Sequence, residues 1–185
     1  MNKEPLNIEN ILPEVNWISD LETRKKVCLI WERLWQESSF TDINQLPVVP
    51  STTYPHIPHN RAVVHMAVRV AEVLEEIHGV KIDRDDLIAA ALLQDASKLV
   101  EYRKTEDGGY EFTEMGSMFQ HAFYAAHLAL QYGLPHTVVQ AIFTHTPDSA
   151  QFPPSLIARI LFYVDQIDTA ALGVDRWKKT SMIYR

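Results

Sequence analysis

The sequence contains a single cysteine, Cys28, among its 185 residues. A disulfide within the chain is therefore excluded, and with it the usual design of a small secreted scaffold. No apolar run approaches the ~20 residues that a helix needs to cross a bilayer. The first residues also lack an apolar stretch of signal-peptide length. We therefore expect a cytoplasmic protein that has no membrane partner.

Basic residues are also scarce. The 17 lysines and arginines stand against 24 acidic residues, which gives a formal net charge of -7. Because most of such a surface repels a phosphate backbone, we expect no nucleic acid partner. A hydrophobic share of 46% in a chain of this length is sufficient for one domain with its own core.

The apolar residues recur mostly at helical spacing, so we predict an all-α, single-domain helical bundle. Asp20 has the side chain expected of an N-cap for a helix over residues 21–37. The same spacing predicts helices over 60–78, 83–102, 114–132, 137–146 and 155–172. An Asp-Gly-Gly turn between short flanks predicts a small hairpin insertion near 103–113.

Proline separates the first long helix from the rest of the chain. Residues 38–58 hold four of the ten prolines, which predicts a long loop or linker. A loop of this length is often a lid, which draws attention to Tyr54, His56 and His59, although a solvated loop is the default interpretation. We predict three parts: an N-terminal helix and loop packed on the core over 1–58, a helical domain over 59–172, and a tail over 173–185.

Five predicted helices each carry one residue of a type that binds metals, in an apolar setting. These residues are His65, Asp95, His121, His145 and Asp165. Each one alone is a weak signal, since a lone histidine on an apolar face is more often a core residue. Together, two buried carboxylates and several neutral imidazoles, with only Lys98 as a nearby cation, leave a charge imbalance that a divalent metal would remove.

The same residues resemble the motifs of the HD-domain superfamily of all-helical, metal-dependent phosphohydrolases, over about residues 59–172. The segment Leu92-Leu-Gln94-Asp95-Ala-Ser-Lys98 stands where that family has Leu-Leu-His-Asp-x-x-Lys. His65 lies 30 residues before Asp95, an interval that is similar to the family's. The segments His121-Ala-Phe-Tyr-Ala-Ala, Ala141-Ile-Phe-Thr-His145 and Ala158-Arg-Ile-Leu-Phe-Tyr-Val-Asp165 resemble its later motifs.

The resemblance implies two metal sites that share Asp95. The first would consist of His65, Gln94, Asp95 and Asp165, and the second of Asp95, His121 and His145. Gln94 replaces the histidine that gives the family its name, and a glutamine oxygen is a neutral, weak ligand. We therefore expect a divalent metal (Mn, Mg, Fe or Zn) at a centre whose first site is atypical.

The resemblance also implies a hydrolase of a small phosphorylated metabolite or nucleotide, in which the metal activates water. The candidate catalytic residues are Asp95, Lys98 and Tyr124, and Lys98, Arg61 and Arg69 are candidate contacts of the small-molecule substrate. Two alternatives stay open, namely an HD-fold lyase, hydratase or oxygenase acting on a small organic substrate, and a non-catalytic ligand-binding protein. The sequence also leaves open whether the chain forms a homo-oligomer.

Overall fold

The computed structural model describes residues 3–173, which contain nine α-helices, two short 3₁₀ helices (Pro13–Trp17 and Ile43–Gln45) and one two-stranded hairpin. The helices are α1 (Ile8–Ile11), α2 (Leu21–Glu37), α3 (His56–His78), α4 (Arg84–Leu93), α5 (Lys98–Glu101), α6 (Glu114–Met118), α7 (Phe123–Gln131), α8 (His136–Thr144) and α9 (Leu156–Ala171). The prediction of an all-α fold is confirmed. Apart from residue 173, the predicted tail lies outside the described residues.

The hairpin lies where the Asp-Gly-Gly turn predicts it. Strand β1 (Tyr102–Lys104) pairs antiparallel with β2 (Tyr110–Phe112), and Arg103 lies opposite Glu111. Within residues 3–173, no helix combines the length and the apolar character that crossing a membrane requires.

Helix α4 forms the centre of the bundle. Every residue from Leu87 to Leu93 is buried, because α2, α3, α8 and α9 all pack around this helix. A helix that is apolar on all sides belongs in such a position. Its N-terminus is capped by Asp83, whose side chain accepts a hydrogen bond from the backbone N–H of Asp86.

The N-terminal part of the chain packs directly on this centre. Helix α2 buries Val27, Ile30 and Leu34 in the same hydrophobic core as α4. The indole N–H of Trp31, a fully buried residue, donates a hydrogen bond to the backbone carbonyl of Leu92, at 3.1 Å. The division of the chain at residue 58 remains a prediction.

The predicted helix over 83–102 is interrupted. Helix α4 ends at Leu93, and tight turns follow before α5 begins at Lys98. The carbonyl of Leu92 accepts hydrogen bonds from the side chains of Trp31 and Asn60, at 3.1 and 3.2 Å, so donors from distant parts of the chain replace the donor of the next helical turn. The interruption frees Asp95 from regular helical geometry.

The predicted helix over 114–132 is also divided, into α6 and α7. The break contains His121 and Ala122, and Ala122 has a φ of 67°, a left-handed conformation that non-glycine residues rarely adopt. The backbone N–H of Ala122 points to the Glu101 carboxylate, at 3.3 Å. This contact stabilises the turn that presents His121 to the centre of the bundle.

Helix α3 begins four residues earlier than predicted, at His56. The sequence prediction ended the loop at Pro58, but this proline lies in the first turn of the helix, where the missing N–H costs no hydrogen bond. His56 and His59 are therefore helical residues and both are buried.

Candidate metal centre

Asp95 is the hub of a buried cluster of ionisable side chains. Its Oδ1 lies 2.7 Å from His121 Nε2 and 3.4 Å from His145 Nε2. Its Oδ2 lies 3.0 Å from His59 Nε2 and 2.5 Å from Lys98 Nζ. The carboxylate is fully buried, so these groups, which reach it from α3, α5, α8 and the turn before α7, provide the charge compensation that burial requires.

Each of the three histidines is oriented by a contact at its other ring nitrogen. Nδ1 of His59 lies 2.7 Å from the Asp168 carboxylate, and Nδ1 of His121 lies 2.6 Å from that of Glu101. Nδ1 of His145 lies 2.7 Å from the carbonyl oxygen of Ile142. This arrangement directs all three Nε2 atoms at Asp95. Metal-binding histidines in proteins are typically held in this way.

Two groups of possible ligands share Asp95. One comprises Asp95, His121 and His145, and the other comprises His59, Asp95 and Asp165; within each group, one ligand atom per residue lies within 4.8 Å of the others. Imidazole nitrogens together with carboxylate oxygens suit a divalent transition metal. The cluster reaches solvent beside His121, whose side chain is 17% exposed, whereas that of His145 is fully buried. The residues present therefore fit a metal centre.

In the metal-free chain, protons on the histidines compensate the negative charge of the carboxylates in this cluster. Burial alone would lower the pKa of His59, but hydrogen bonds with Asp165, Asp168 and Asp95 raise it to about 10. Burial likewise opposes charge on His121, yet the charge of Glu101 and the hydrogen bond with Asp95 raise its pKa to about 9. A metal ion that binds here at neutral pH must displace these protons.

Asp95 stays ionised although it is buried. Burial favours its neutral form, but the charge of Lys98 and hydrogen bonds with His121 and His145 hold the pKa of Asp95 well below its ordinary value. The pKa of Asp165 is also lowered, chiefly by its hydrogen bond with His59 acting against burial. Both carboxylates are therefore available as anionic ligands.

The structure brings five of the six predicted metal ligands to this region, and places the sixth, His65, elsewhere. The side chain of His65 is 51% exposed, its Nε2 lies 3.0 Å from Glu14, and its ring contacts Trp17 edge-on. His65 follows His59 by six residues, a rotation of about 240° around an α-helix. It therefore lies away from the buried face of α3, and His59 takes the position assigned to it.

Gln94, one of the six predicted ligands, makes no hydrogen bond through its side chain to any of residues 3–173. Both polar atoms of its amide are buried and lack hydrogen-bond partners among residues 3–173. The structure therefore places Gln94 in the interior, next to Asp95 in the chain, with an amide that no described residue satisfies.

Three further predicted site residues lie outside the cluster. The hydroxyl of Tyr124 contacts the carboxylate of Glu37, at 2.9 Å. Arg61 pairs with Glu14, at 2.8 Å, and both Arg69 and its partner Glu72 are largely exposed. The structure gives each of these side chains a partner away from Asp95, and their assignment to catalysis or substrate binding stays a prediction.

Sequence reasoning missed His59, Asp168 and Glu101 as parts of the cluster. The signal for His59 was its position four residues before Val63, on the buried stripe of α3. Asp168 was detectable in the same manner, since it follows Asp165 by three residues on α9. Nothing in the local sequence indicated Glu101, because its contact with His121 spans 20 residues.

Replacing Glu101 by glutamine is expected to weaken metal binding by about 10- to 100-fold at the site formed by Asp95, His121 and His145, which is the range for loss of an outer hydrogen-bond partner. Glutamine keeps the shape but removes the charge that orients His121 Nδ1. Isothermal titration of the metal-free protein with Mn²⁺ measures the change. Glu111→Gln, at an exposed carboxylate of the hairpin, is the matched control. Equal affinities in the two variants would contradict the orienting role.

Comparisons with known proteins agree with this geometry. The family described as "HD domain" matches residues 57–170, which include His59, Asp95, His121, His145 and Asp165. One relative, from Methanocaldococcus jannaschii, carries the name dihydroneopterin 2′,3′-cyclic phosphate phosphodiesterase. It is 34% identical over 114 residues, which cover 61% of this chain and 45% of the relative.

The matched region therefore spans less than half of the relative's length. No solved structure gave a significant match. The family match covers more than half of the 185 residues, and its motifs coincide with the buried cluster around Asp95. The chain belongs to the HD-domain family.

Proposed function

We propose that this protein is a metal-dependent phosphodiesterase that acts on a small phosphodiester, with a cyclic phosphate of a ring-bearing metabolite as the favoured class. The single observation that carries the proposal is the convergence of three oriented imidazoles on one buried, ionised carboxylate. Family membership and the printed name of the relative support phosphoester hydrolysis over the lyase, oxygenase and non-catalytic alternatives.

Two divalent ions are proposed to share Asp95. His121 and His145 would hold one with Asp95 Oδ1, and His59 and Asp165 would hold the other with Asp95 Oδ2. Because two of the three ligands in the group of Asp95, His121 and His145 are imidazoles, Mn²⁺, Fe²⁺ or Zn²⁺ suits this group better than Mg²⁺. A bound ion of this kind supplies an activated water and stabilises negative charge on phosphoryl oxygens.

Lys98 supplies a fixed positive charge beside this centre. Its ammonium group is fully buried and lies 2.5 Å from Asp95 Oδ2. A phosphate oxygen that binds next to this carboxylate would contact the ammonium group. A cation in a low-dielectric site stabilises developing negative charge more strongly than it would in water. Of the substrate contacts predicted from the sequence, we therefore retain Lys98.

The proposed reaction adds one water molecule to one phosphodiester. The oxygen of water forms a bond to phosphorus, one ester P–O bond breaks, and the proton of water passes to the departing oxygen. For a cyclic phosphate the ring opens and the product is a phosphomonoester. The partly exposed side of His121 is the route by which a substrate reaches the buried cluster.

An aromatic surface lies close to this opening. The rings of Phe119 and Phe123 stack with centroids 5.0 Å apart, directly before and after the turn that holds His121. Phe123 also lines a groove of about 530 Å³ between α7 and α8, together with His127 and Phe143. Planar rings bind well on such surfaces. This observation favours a substrate that carries a heterocyclic or aromatic ring.

The experiment is a hydrolysis assay with the purified chain, stripped of metal and reloaded separately with Mn²⁺, Fe²⁺, Zn²⁺ or Mg²⁺. Substrates are bis(p-nitrophenyl) phosphate, 2′,3′-cyclic nucleotides and, as the monoester control, p-nitrophenyl phosphate. We expect diester hydrolysis that depends on a transition metal, is lost with EDTA and exceeds monoester hydrolysis. Absence of hydrolysis of every phosphodiester by the fully loaded protein would contradict the proposal.

A further inference from the structure

We propose that His56 is an additional metal ligand that completes the site formed by His59, Asp95 and Asp165. This inference rests on the proposed function, since it concerns one of its two ions. The sequence prediction placed Gln94 in this site as a neutral, weak ligand. The structure offers a stronger donor from α3, just before the segment that matches the family.

His56 is the first residue of α3, and it lies one helical turn before His59 and Asn60. Its side chain is completely buried, and its Nε2 lies 3.7 Å from Asp95 Oδ2. The centroids of the His56 and His59 rings are 6.0 Å apart. The two imidazoles of α3 therefore approach the same carboxylate oxygen from adjacent turns of one helix.

Neither ring nitrogen of His56 has a hydrogen-bond partner within residues 3–173. This contrasts with His59, whose two ring nitrogens contact Asp168 and Asp95. A buried polar group without a partner costs stability, so such a group calls for an explanation. Complete burial favours the neutral imidazole, which is the form that binds metals.

The spacing of the donor atoms is compatible with a shared ion. Two ligands of one transition metal lie about 3 to 4 Å apart, because each metal–ligand bond is about 2.1 Å long. The distance from Asp95 Oδ2 is 3.7 Å to His56 Nε2 and 3.0 Å to His59 Nε2, and His59 Nε2 lies 3.3 Å from Asp165 Oδ1. All three distances fall in that range. His56 is not one of the three residues whose donor atoms all lie within 4.8 Å of one another, so its ring would move towards His59 and Asp165 when an ion binds.

Gln94 and Lys98 are the two competing groups. The amide of Gln94 is buried as well, but an amide oxygen is a weaker ligand for a transition metal than an imidazole nitrogen. Lys98 Nζ contacts the same oxygen of Asp95 as His56 does. If its ammonium group occupied the place of the ion permanently, the chain would bind one ion rather than two. The experiment distinguishes these cases.

The test compares Co²⁺ binding by the metal-free full chain and by two variants, His56→Leu and Gln94→Leu. Co²⁺ alone is titrated, visible absorption reports its coordination, and elemental analysis after gel filtration gives the number of ions per chain. We expect two ions in the wild type and in Gln94→Leu. In His56→Leu we expect the first-site affinity to fall by about 100-fold, the upper end of the loss seen for outer partners.

Two further measurements separate a ligand from a structural residue. The melting temperature of metal-free His56→Leu should equal or exceed that of the wild type, because an unpartnered imidazole is removed. Adding Gln94→His to His56→Leu should restore at least part of the lost Co²⁺ affinity, since it returns an imidazole to the turn that holds Asp95. Restored affinity would also show that the double variant is folded.

The inference is overturned if His56→Leu binds both ions with unchanged affinity. It is also overturned if Gln94→Leu loses the first ion while His56→Leu keeps it, or if the wild type binds a single ion whose affinity does not depend on His56. None of these measurements uses a substrate. A failure to hydrolyse phosphodiesters would contradict the proposed function alone, and the Co²⁺ data would still decide the role of His56.

Discussion

Replacing Asp95 by asparagine is expected to abolish binding at both metal sites and to lower phosphodiester hydrolysis by at least about 1,000-fold, the upper end of the cost of removing one charge-stabilising group. Both candidate sites use this carboxylate, one through each oxygen. Elemental analysis of the purified variant and the diesterase assay measure the two effects. Retention of either ion would show that the cluster is structural.

The same substitution is expected to lower the free energy of unfolding of the metal-free chain by about 3 to 5 kcal/mol, as observed when one partner of a buried ion pair is removed. Lys98 would then be buried without the carboxylate on which its ammonium group lies. Denaturant titration followed by circular dichroism gives the value. Glu72→Gln, at an exposed carboxylate paired with Arg69, is the control and should change little.

Two histidines of the same helix are expected to respond in opposite ways to alanine substitution. His59→Ala should weaken the first-site ion by about 100-fold or more, because a direct ligand contributes at least as much as an outer partner. His65→Ala should leave metal content unchanged and cost only about 1 kcal/mol of stability, through the lost contact with Glu14.

Because both substitutions remove an imidazole from α3, differences in helix propensity cancel between them. Metal content and melting temperature are measured side by side for the two variants. Loss of metal in His65→Ala, with retention in His59→Ala, would restore the assignment made from the sequence and reject the one made from the structure.

Much of the fold follows from local patterns. The N-cap Asp20 and the apolar spacing placed α2 and α9 to within one residue at each end. The apolar residues on either side of Asp95 and Asp165 in the sequence correctly predicted their burial. These features depend on residues that are close together in the chain, so the sequence alone was sufficient.

Two differences between the sequence prediction and the structure originate in contacts between distant residues. The carbonyl of Leu92 is bound by Trp31, 61 residues earlier, and this contact accompanies the end of α4. Tyr124 is held by Glu37, 87 residues away. His59 was missed for a different reason, because Pro58 was interpreted as part of a loop although a proline is tolerated in the first turn of a helix.

The hydrogen bond from Trp31 to Leu92 has a consequence for the boundaries of the folding unit. Trp31 precedes the segment matched to the family, yet its indole fixes the backbone three residues before the central aspartate. A fragment trimmed to residues 57–170 would expose the surface of α4 that α2 covers and would leave Asn60 as the side-chain donor to that carbonyl. We therefore expect the segment that identifies the family to be less stable alone than with the first helices attached.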